Sequence, residues 1–351
     1  MSLPASVPVE SENYDLHAAA RGGAIDKLPP GSLTVARLIS RNPSGNTPLH
    51  TAAKYGHLKS LPPETLTAAT LTVKNDAGYT PLHHAALGGH LDQIPAALLT
   101  AELLAERSNA GFTVFHTAAA NGCLSQLPPS LLTPDVVLRK TDVGNTLLHE
   151  AAEHGAINGI PPQFLTPSNL AQKNLGGETV LHVAAFNGHL DQVPRQNLTA
   201  QALLETTTAG DTVFHAAAIA GHLEQVPAEL LTRDNLVVAS KSGFTAIHAA
   251  AETGQLKKIP AQHLTADLLL TRNDNGDTPL HAAAFEGHLD QIPAAVMTAE
   301  NMAVRNYDGL SVAQTALDRG HLDQIPSSIR PPSLSPLRRF LRRLSSTRSP
   351  F

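Results

Sequence analysis

The stretch Gly276-Asp277-Thr278-Pro279-Leu280-His281-Ala282-Ala283-Ala284-Phe285-Glu286-Gly287 decides the fold of this chain. Thr278 is a favourable N-cap, and Pro279 takes the first helical position, where its missing N–H costs nothing. Gly287 suits the left-handed residue that ends many helices. The stretch therefore predicts one helix of about two to three turns.

The same pattern recurs every 33 residues along the chain. Its histidine stands at His17, His50, His83, His116, His149, His182, His215, His248 and His281, and Gln314 takes the next register. In all ten registers a Gly follows six residues later and a Pro twelve residues later. A fixed period of this length predicts a solenoid, in which each repeat buries its apolar face only against its neighbours.

The second half of each repeat is less regular. The recurrent Pro, Pro293 for example, pushes the residue before it towards extended geometry and interrupts a helix. A Thr that suits a second N-cap then recurs in nine repeats. These residues are Thr34, Thr67, Thr100, Thr133, Thr166, Thr199, Thr232, Thr265 and Thr298. We expect one regular helix and one broken or displaced helix per repeat.

At this point the sequence resembles a known family. The run Gly-x-Thr-Pro-Leu-His-x-Ala-Ala-x-x-Gly-His-Leu, nearly complete at residues 45–58, 78–91 and 276–289, is similar to the first half of the ankyrin repeat. The resemblance covers about residues 12–330. It implies an all-α solenoid of helix pairs with turns along one edge, used for protein recognition rather than catalysis. The Pro in every repeat departs from the family pattern, in which the second helix is continuous.

These observations predict three segments. Residues 1–11 form an N-terminal segment that we expect to be disordered, and residues 12–330 form the ankyrin-like solenoid of about ten repeats, with degenerate first and last repeats. Residues 331–351 contain a Pro/Ser linker and an Arg-rich amphipathic tail. In the tail, Leu337, Phe340, Leu341 and Leu344 have helical spacing, and Arg338, Arg339, Arg342 and Arg343 would occupy the other face.

The charge and the composition exclude several classes of function. The net charge is −5, and because residues 330–351 hold six Arg and no acid, the rest of the chain carries −11. Such a body repels nucleic acid, so no nucleic-acid partner is expected. Apolar runs are too short to span a membrane, and the first residues lack the features of a signal peptide. With a single cysteine, Cys123, the sequence predicts a cytoplasmic protein, which we expect to be a monomer.

No enzymatic motif is found, and no cofactor or metal is expected. The repeats account for fifteen of the 18 His, and the ankyrin resemblance implies that such histidines bond to neighbouring turns. His149 and His154 flank a Glu but lie five residues apart, so they diverge around a helix, unlike a His-Glu-x-x-His zinc pair. Cys123 replaces a recurrent histidine and is interpreted as a small packing residue.

Partner-binding residues are expected where the repeats differ, at the turn tips and on the concave face that the resemblance implies. The candidates are Tyr55, Tyr79, Leu87, Phe112, Phe186, Ile219, Phe244 and Phe285. The alternative is that these side chains pack against the next repeat. Glu150, Glu153, Glu252 and Glu286 share this surface, which favours a partly basic protein partner.

The basic tail leaves further hypotheses open. Through Arg338, Arg339, Arg342 and Arg343 it could make weak contact with an anionic membrane, bind an acidic groove, or dock on the acidic body of the chain itself. The main alternative to a protein-binding scaffold is therefore a membrane-peripheral adaptor, or an exported effector, that the basic tail targets to its location in the cell.

Overall fold

The computed structural model describes residues 15–29 and 31–330. All regular structure in these residues is helical, apart from three isolated β-bridges, and their contacts form two compact units that meet in sequence between Leu175 and Gly176. The predicted segments 1–11 and 331–351 lie outside the described residues. Along the chain, α-helices of seven or eight residues alternate with α-helices of four residues.

In the first unit the α-helices are α1 (Leu16–Gly22), α2 (Val35–Leu38), α3 (Pro48–Tyr55), α4 (Ala68–Leu71), α5 (Pro81–Gly88), α6 (Ala101–Leu104), α7 (Val114–Ala120), α8 (Pro134–Val137), α9 (Leu147–Glu153) and α10 (Pro167–Leu170). Short 3-10 helices lie between them at Ile25–Lys27, Leu58–Ser60, Pro63–Thr65, Leu91–Gln93, Ala96–Leu98, Leu124–Gln126, Pro129–Leu131, Ile157–Gly159 and Pro162–Phe164.

In the second unit they are α11 (Val180–Phe186), α12 (Ala200–Leu203), α13 (Val213–Ala220), α14 (Arg233–Leu236), α15 (Ala246–Glu252), α16 (Ala266–Leu269), α17 (Pro279–Glu286), α18 (Ala299–Met302) and α19 (Val312–Arg319). The 3-10 helices are Leu190–Gln192, Arg195–Asn197, Leu223–Gln225, Ala228–Leu230, Leu256–Lys258, Ala261–His263, Leu289–Gln291, Leu322–Gln324 and Ser327–Ile329.

The predicted start and stop signals of the odd-numbered helices are confirmed in α17. The Thr278 hydroxyl accepts a hydrogen bond from the His281 backbone N–H, Pro279 is the first helical residue, and Gly287 ends the helix at φ 86°. Successive odd-numbered helices pack side by side within each unit, as α3, α5 and α7 do. Small side chains such as Ala85 and Ala86, both fully buried, allow this close approach.

The recurrent proline breaks the second half of each repeat as predicted. After α5, the 3-10 helix Leu91–Gln93 is followed by extended Ile94 and Pro95, and a second 3-10 helix ends at Leu98. Thr100 then caps α6, where its side chain accepts a hydrogen bond from the Leu103 N–H. The two turns and one short α-helix take the place of a continuous second helix.

All nine recurrent threonines act as this second N-cap. Each hydroxyl accepts a hydrogen bond from the backbone N–H three residues later. Such a cap contributes on the order of 1 kcal/mol. The prediction of one regular and one broken helix per repeat is therefore confirmed across both units.

Candidate functional site

The recurrent histidines join each repeat to the next. The His50 Nδ1 accepts a hydrogen bond from the Thr47 backbone N–H at 3.1 Å, which leaves Nε2 to donate to the Tyr79 carbonyl at 2.9 Å. The same Nε2 contact reaches a carbonyl 29 residues ahead in His83–Phe112, His182–Asp211, His215–Phe244, His248–Asp277 and His281–Leu310. His116 instead meets the Arg139 carbonyl at 2.9 Å.

Burial lowers the pKa and so favours the neutral imidazole in six of these histidines, namely His50, His83, His116, His215, His248 and His281. It lowers the pKa from 6.5 to about 4 in four of them, although the hydrogen bonds to backbone carbonyls offset part of the effect. The four are His50, His83, His116 and His248. A neutral ring that accepts at one nitrogen and donates at the other suits this joint, which is the structural role that the resemblance implies.

The second recurrent histidine packs on a glycine of the preceding repeat. A β-carbon on that glycine would lie 2.7–2.9 Å from the ring. The pairs are Gly23–His57, Gly56–His90, Gly188–His222, Gly254–His288 and Gly287–His321. Cys123 replaces this histidine opposite Gly89, and there the same β-carbon would meet nothing within 4 Å. Cys123 is buried as expected, and burial raises its thiol pKa to about 11.

A third joint escaped the sequence analysis. The side-chain amide of Gln93 accepts from the Leu58 N–H at 3.0 Å and donates to the Gly56 carbonyl at 2.8 Å. Gln126, Gln225 and Gln324 bridge the preceding repeat in the same way. We call these amides glutamine braces. The recurrent Leu-x-Gln spacing was the available signal, but the partners of the glutamine are backbone atoms more than thirty residues away.

The predicted contact residues of the turn slot lie beside the helices and not at the exposed tips. Tyr79, Phe112 and Phe244 are half-buried because their rings pack on the histidine four residues ahead, with centroids 5.3–6.1 Å apart. Their carbonyls also accept the histidine bond from the preceding repeat. These ring contacts lie within one repeat and leave each ring partly exposed, so the alternative of packing against the next repeat stays a prediction.

The predicted contact residues at the helix ends are more exposed. Leu87 is 45% exposed, Phe186 is 55% exposed and Phe285 is 43% exposed, and Tyr55 and Ile219 also face solvent. The Tyr55 ring lies 5.5 Å from the Arg21 guanidinium, and Arg319 stacks on Phe285 at 3.4 Å. Aromatic faces on this surface are therefore already in contact with cations.

In the first unit, three of the predicted residues line one groove of about 420 Å³. Groove A is bounded by Tyr79, Leu87, Phe112, Glu150 and Glu153, together with His83, His84, Thr117, Ala120, Asn121 and His154. No Lys or Arg lines it among the described residues. The groove combines apolar side chains with the carboxylates of Glu150 and Glu153.

In the second unit, Phe244 and Phe285 line a groove of about 310 Å³. Groove B is bounded by these rings, Ala282 and Leu310, by the acids Glu252, Asp277, Glu286 and Asp308, and by His248, Asn273, His281, Asn306 and Thr315. Asp277 accepts a hydrogen bond from the Asn306 amide at 2.8 Å. Within residues 15–29 and 31–330, Glu252, Glu286 and Asp308 form no ion pair.

Three of the acids in grooves A and B stand at helix positions that are unfavourable for a carboxylate. Glu153 ends α9, Glu252 ends α15 and Glu286 ends α17. The C-terminal end of a helix carries partial negative charge, so a carboxylate there is unfavourable. By contrast, α1 and α19 place an Arg in the last turn. Carboxylates that are electrostatically unfavourable for their own helices and recur beside a groove are typical of residues kept for function.

A second acidic feature lies in groove A. Glu150, Glu153 and His154 bring one potential metal-ligand atom each within 4.8 Å of one another, a combination that the sequence analysis did not consider. Glu150 is only 2% exposed, and burial raises its pKa, partly offset by a 3.0 Å hydrogen bond from Asn145. His149 does not belong to this group, and its Nδ1 bonds to the Thr146 hydroxyl.

The sequence analysis missed the most exposed apolar side chains at the turns. Val143, Leu175 and Tyr307 are 57%, 74% and 72% exposed, respectively. Leu175 and Tyr307 each donate a backbone hydrogen bond to the turn of the preceding repeat, at Val143 and Asn275. Neither groove includes any of the three.

The tail residues Arg338, Arg339, Arg342 and Arg343 lie outside the described residues, so the membrane and docking hypotheses for the tail stay predictions. In the described part of the chain, no helix combines the length and the apolar character needed to span a bilayer.

Comparisons with known proteins point to one family. The family model described as Ankyrin repeat matches residues 44–62 and 275–292. Each segment covers a whole odd-numbered helix and the following 3-10 helix, with α3 in the first unit and α17 in the second. The search of curated proteins found no match.

Proposed function

Because the chain belongs to the ankyrin repeat family, whose repeats generally mediate protein–protein interaction, we propose that it is a non-enzymatic scaffold whose grooves A and B bind basic, apolar segments of a protein partner. The observation that carries this proposal is the composition of the two grooves. Each groups aromatic or aliphatic side chains with acids, and none of the lining residues is a Lys or an Arg.

The physical argument has two parts. Exposed aromatic and aliphatic side chains in a groove supply apolar burial for an incoming side chain, which is the usual anchor of a protein interface. The acids around them attract cations and repel acidic partners. Some of these acids stand at C-terminal helix ends, where the negative partial charge of the helix also attracts cations. A segment with Leu or Phe beside Arg or Lys satisfies both parts.

Peptide binding to the full-length chain tests the proposal. The probe is a fluorescein-labelled peptide of alternating Arg and Leu pairs, and its two controls carry Glu in place of Arg or Ser in place of Leu. Fluorescence anisotropy should show saturable binding of the probe alone. Replacement of groove A residues in Tyr79→Ala/Leu87→Ala should weaken binding about tenfold, whereas Tyr55→Ala, outside both grooves, should not.

Equal binding of all three peptides would show that the grooves do not select charge and apolarity together, and the proposal would be wrong. Unchanged affinity in the groove A variant would remove that groove from the contact surface.

A further inference from the structure

We propose that groove B binds the chain's own basic segment, residues 335–344, so that a partner must displace this segment to reach the groove. The inference deepens the proposed function, on which it rests, by naming the first occupant of one groove. It depends on the composition of groove B, on the sequence of the segment and on the point where the described chain ends.

Charge complementarity is the first argument. Groove B carries Glu252, Asp277, Glu286 and Asp308, and among the described residues only Asp277 of these four accepts a side-chain hydrogen bond. The segment carries Arg338, Arg339, Arg342 and Arg343 and no acid. Four cations and four carboxylates can therefore meet, and the guanidinium forks suit carboxylate acceptors.

Apolar complementarity is the second argument. The segment intersperses Leu337, Phe340, Leu341 and Leu344 with its arginines. Groove B offers Phe244, Phe285, Ala282 and Leu310 as apolar surface. Its Phe285 ring already stacks with the Arg319 guanidinium at 3.4 Å, which shows that the ring accepts this type of cation. If the segment bound through ion pairs alone, its Phe and Leu side chains and the apolar side chains of groove B would make no contact with each other.

Proximity is the third argument. The last described residue, Arg330, belongs to the second unit and follows α19, which contributes Thr315 to groove B, after two 3-10 helices. Residues 331–337 can span on the order of 20 Å when extended, and the full segment can span more. Intramolecular attachment raises the effective concentration of such a segment to about the millimolar range, so that a weak contact is well populated.

The test uses the full-length chain with Phe340 replaced by the photoreactive analogue p-benzoylphenylalanine. Irradiation of a dilute sample, followed by digestion and mass spectrometry, identifies the peptide that residue 340 touches. We expect intramolecular cross-links to peptides that contain Phe285 or Leu310. Two neutralised variants should lose about tenfold in cross-link yield: Arg338→Gln/Arg339→Gln/Arg342→Gln/Arg343→Gln in the segment, and Glu252→Gln/Glu286→Gln in the groove.

A charge exchange separates recognition from a general disturbance of the structure. Glu252→Lys/Glu286→Lys alone should lose the cross-link, and addition of Arg342→Glu/Arg343→Glu should restore it at least in part. Restoration would not follow if the groove substitutions had simply damaged the fold. Failure of the exchange to restore any cross-link would contradict ionic recognition.

Other outcomes would overturn the inference in distinct ways. Cross-links only between molecules, rising with protein concentration, would assign the segment to a second copy. If the chain bound phosphatidylserine vesicles and gave no groove cross-links in samples without vesicles, the segment would be assigned to a membrane surface. In either case, selective binding of the Arg-Leu probe at groove A would leave the proposed function standing, because that assay does not involve the segment.

Discussion

The imidazole ring of His90 lies against Gly56 of the preceding repeat so closely that a β-carbon on Gly56 would fall 2.9 Å from it. Gly56 also ends α3 at φ 76°, a conformation that L-residues disfavour. Two independent constraints therefore act on one position, the backbone angle and the ring.

The first prediction separates these two constraints. Gly56→Ala should destabilise the chain by the cost of the left-handed angle, about 1–2 kcal/mol, plus a steric cost of about 1–3 kcal/mol. Gly89→Ala should cost only the first part, because Gly89 has φ 72° but its β-carbon would meet nothing within 4 Å. Urea unfolding of both variants measures the difference.

The matched control removes the ring. In a His90→Ala background, Gly56→Ala should cost no more than Gly89→Ala does in the natural chain. If Gly56→Ala and Gly89→Ala were equally destabilising from the outset, the ring contact would have no energetic role.

The second prediction adds a missing brace. Gly159 stands where Gln93 and Gln126 stand in earlier repeats, and its added β-carbon would meet ordinary contacts with Gly122 at 3.5–3.7 Å. Gly159→Gln should reach the Leu124 N–H and the Gly122 carbonyl, by analogy with the bonds of Gln126 to Leu91 and Gly89. We expect a stability gain of about 1–2 kcal/mol from two hydrogen bonds and the loss of glycine freedom.

Thermal and urea unfolding check this gain. Gly159→Leu is the control, since it also removes the glycine but offers no amide. Equal stabilisation by Leu and Gln would assign the whole effect to the backbone.

The third prediction concerns acid. Burial lowers the pKa of His50, His83, His116 and His248 from 6.5 to about 4 in the folded chain. Below pH 6.5 the unfolded chain binds protons that the folded chain does not, so this stability is complete above pH 6.5 and is lost as the pH falls through 4. Each such histidine accounts for a loss of up to about 3 kcal/mol.

Urea unfolding at a series of pH values measures the slope. His83→Gln, which places there the residue that α19 carries as Gln314, should reduce the slope between pH 6.5 and 4. The same slope in both proteins would show that this histidine does not titrate with folding.

Sequence alone was sufficient for the elements whose causes are local. Thr278, Pro279 and Gly287 each act through their own backbone or the next turn, and the structure confirms their roles. The proline break at Pro95 and the second cap at Thr100 are equally local. The histidine joint was anticipated through the family resemblance, because its repeated position matched the ankyrin pattern.

The remaining features depend on distant partners. Gln93 is an ordinary polar residue in sequence, and only the fold brings it to the backbone of Gly56 and Leu58. Likewise, Glu252 and Glu286 can be read from the sequence, but their unfavourable interaction with a helix end can be recognised only once the helices are known to end there. Groove A requires side chains from three successive repeats, so its shape could not be derived from any single repeat.

The fourth prediction addresses the predicted contact surface. Phe186→Ala/Phe285→Ala should weaken binding of the Arg-Leu probe about tenfold, because it removes the Phe285 ring from groove B together with Phe186, an exposed ring of the same unit that lies outside both grooves. The melting temperature should stay unchanged, since both side chains are about half exposed. Leu175→Ala is the control, as it removes an even more exposed side chain outside the grooves. Equal probe binding by the double variant would exclude these rings as contact residues.

The fifth prediction sets stability against binding. Glu252→Gln/Glu286→Gln removes two carboxylates from the C-terminal ends of α15 and α17, so the free energy of unfolding should rise by about 0.5–1 kcal/mol at low ionic strength. The same variant should hold the chain's own basic segment more weakly, which lowers the yield of the cross-link from residue 340 to groove B. Calorimetry and the cross-link yield of one sample check both results. If the variant lost both stability and binding, these acids would instead be assigned a role in the stability of the fold.

The helices α1 to α19 have at most eight residues, a length at which an isolated helix is marginal in water. Each one becomes ordered only against a neighbour, through joints that repeat with the 33-residue period. Insertion or deletion of one period within a unit would bring matching joints together again. Evolution can therefore lengthen or shorten the contact surface by whole repeats, while recombination at any other spacing would leave unmatched ends.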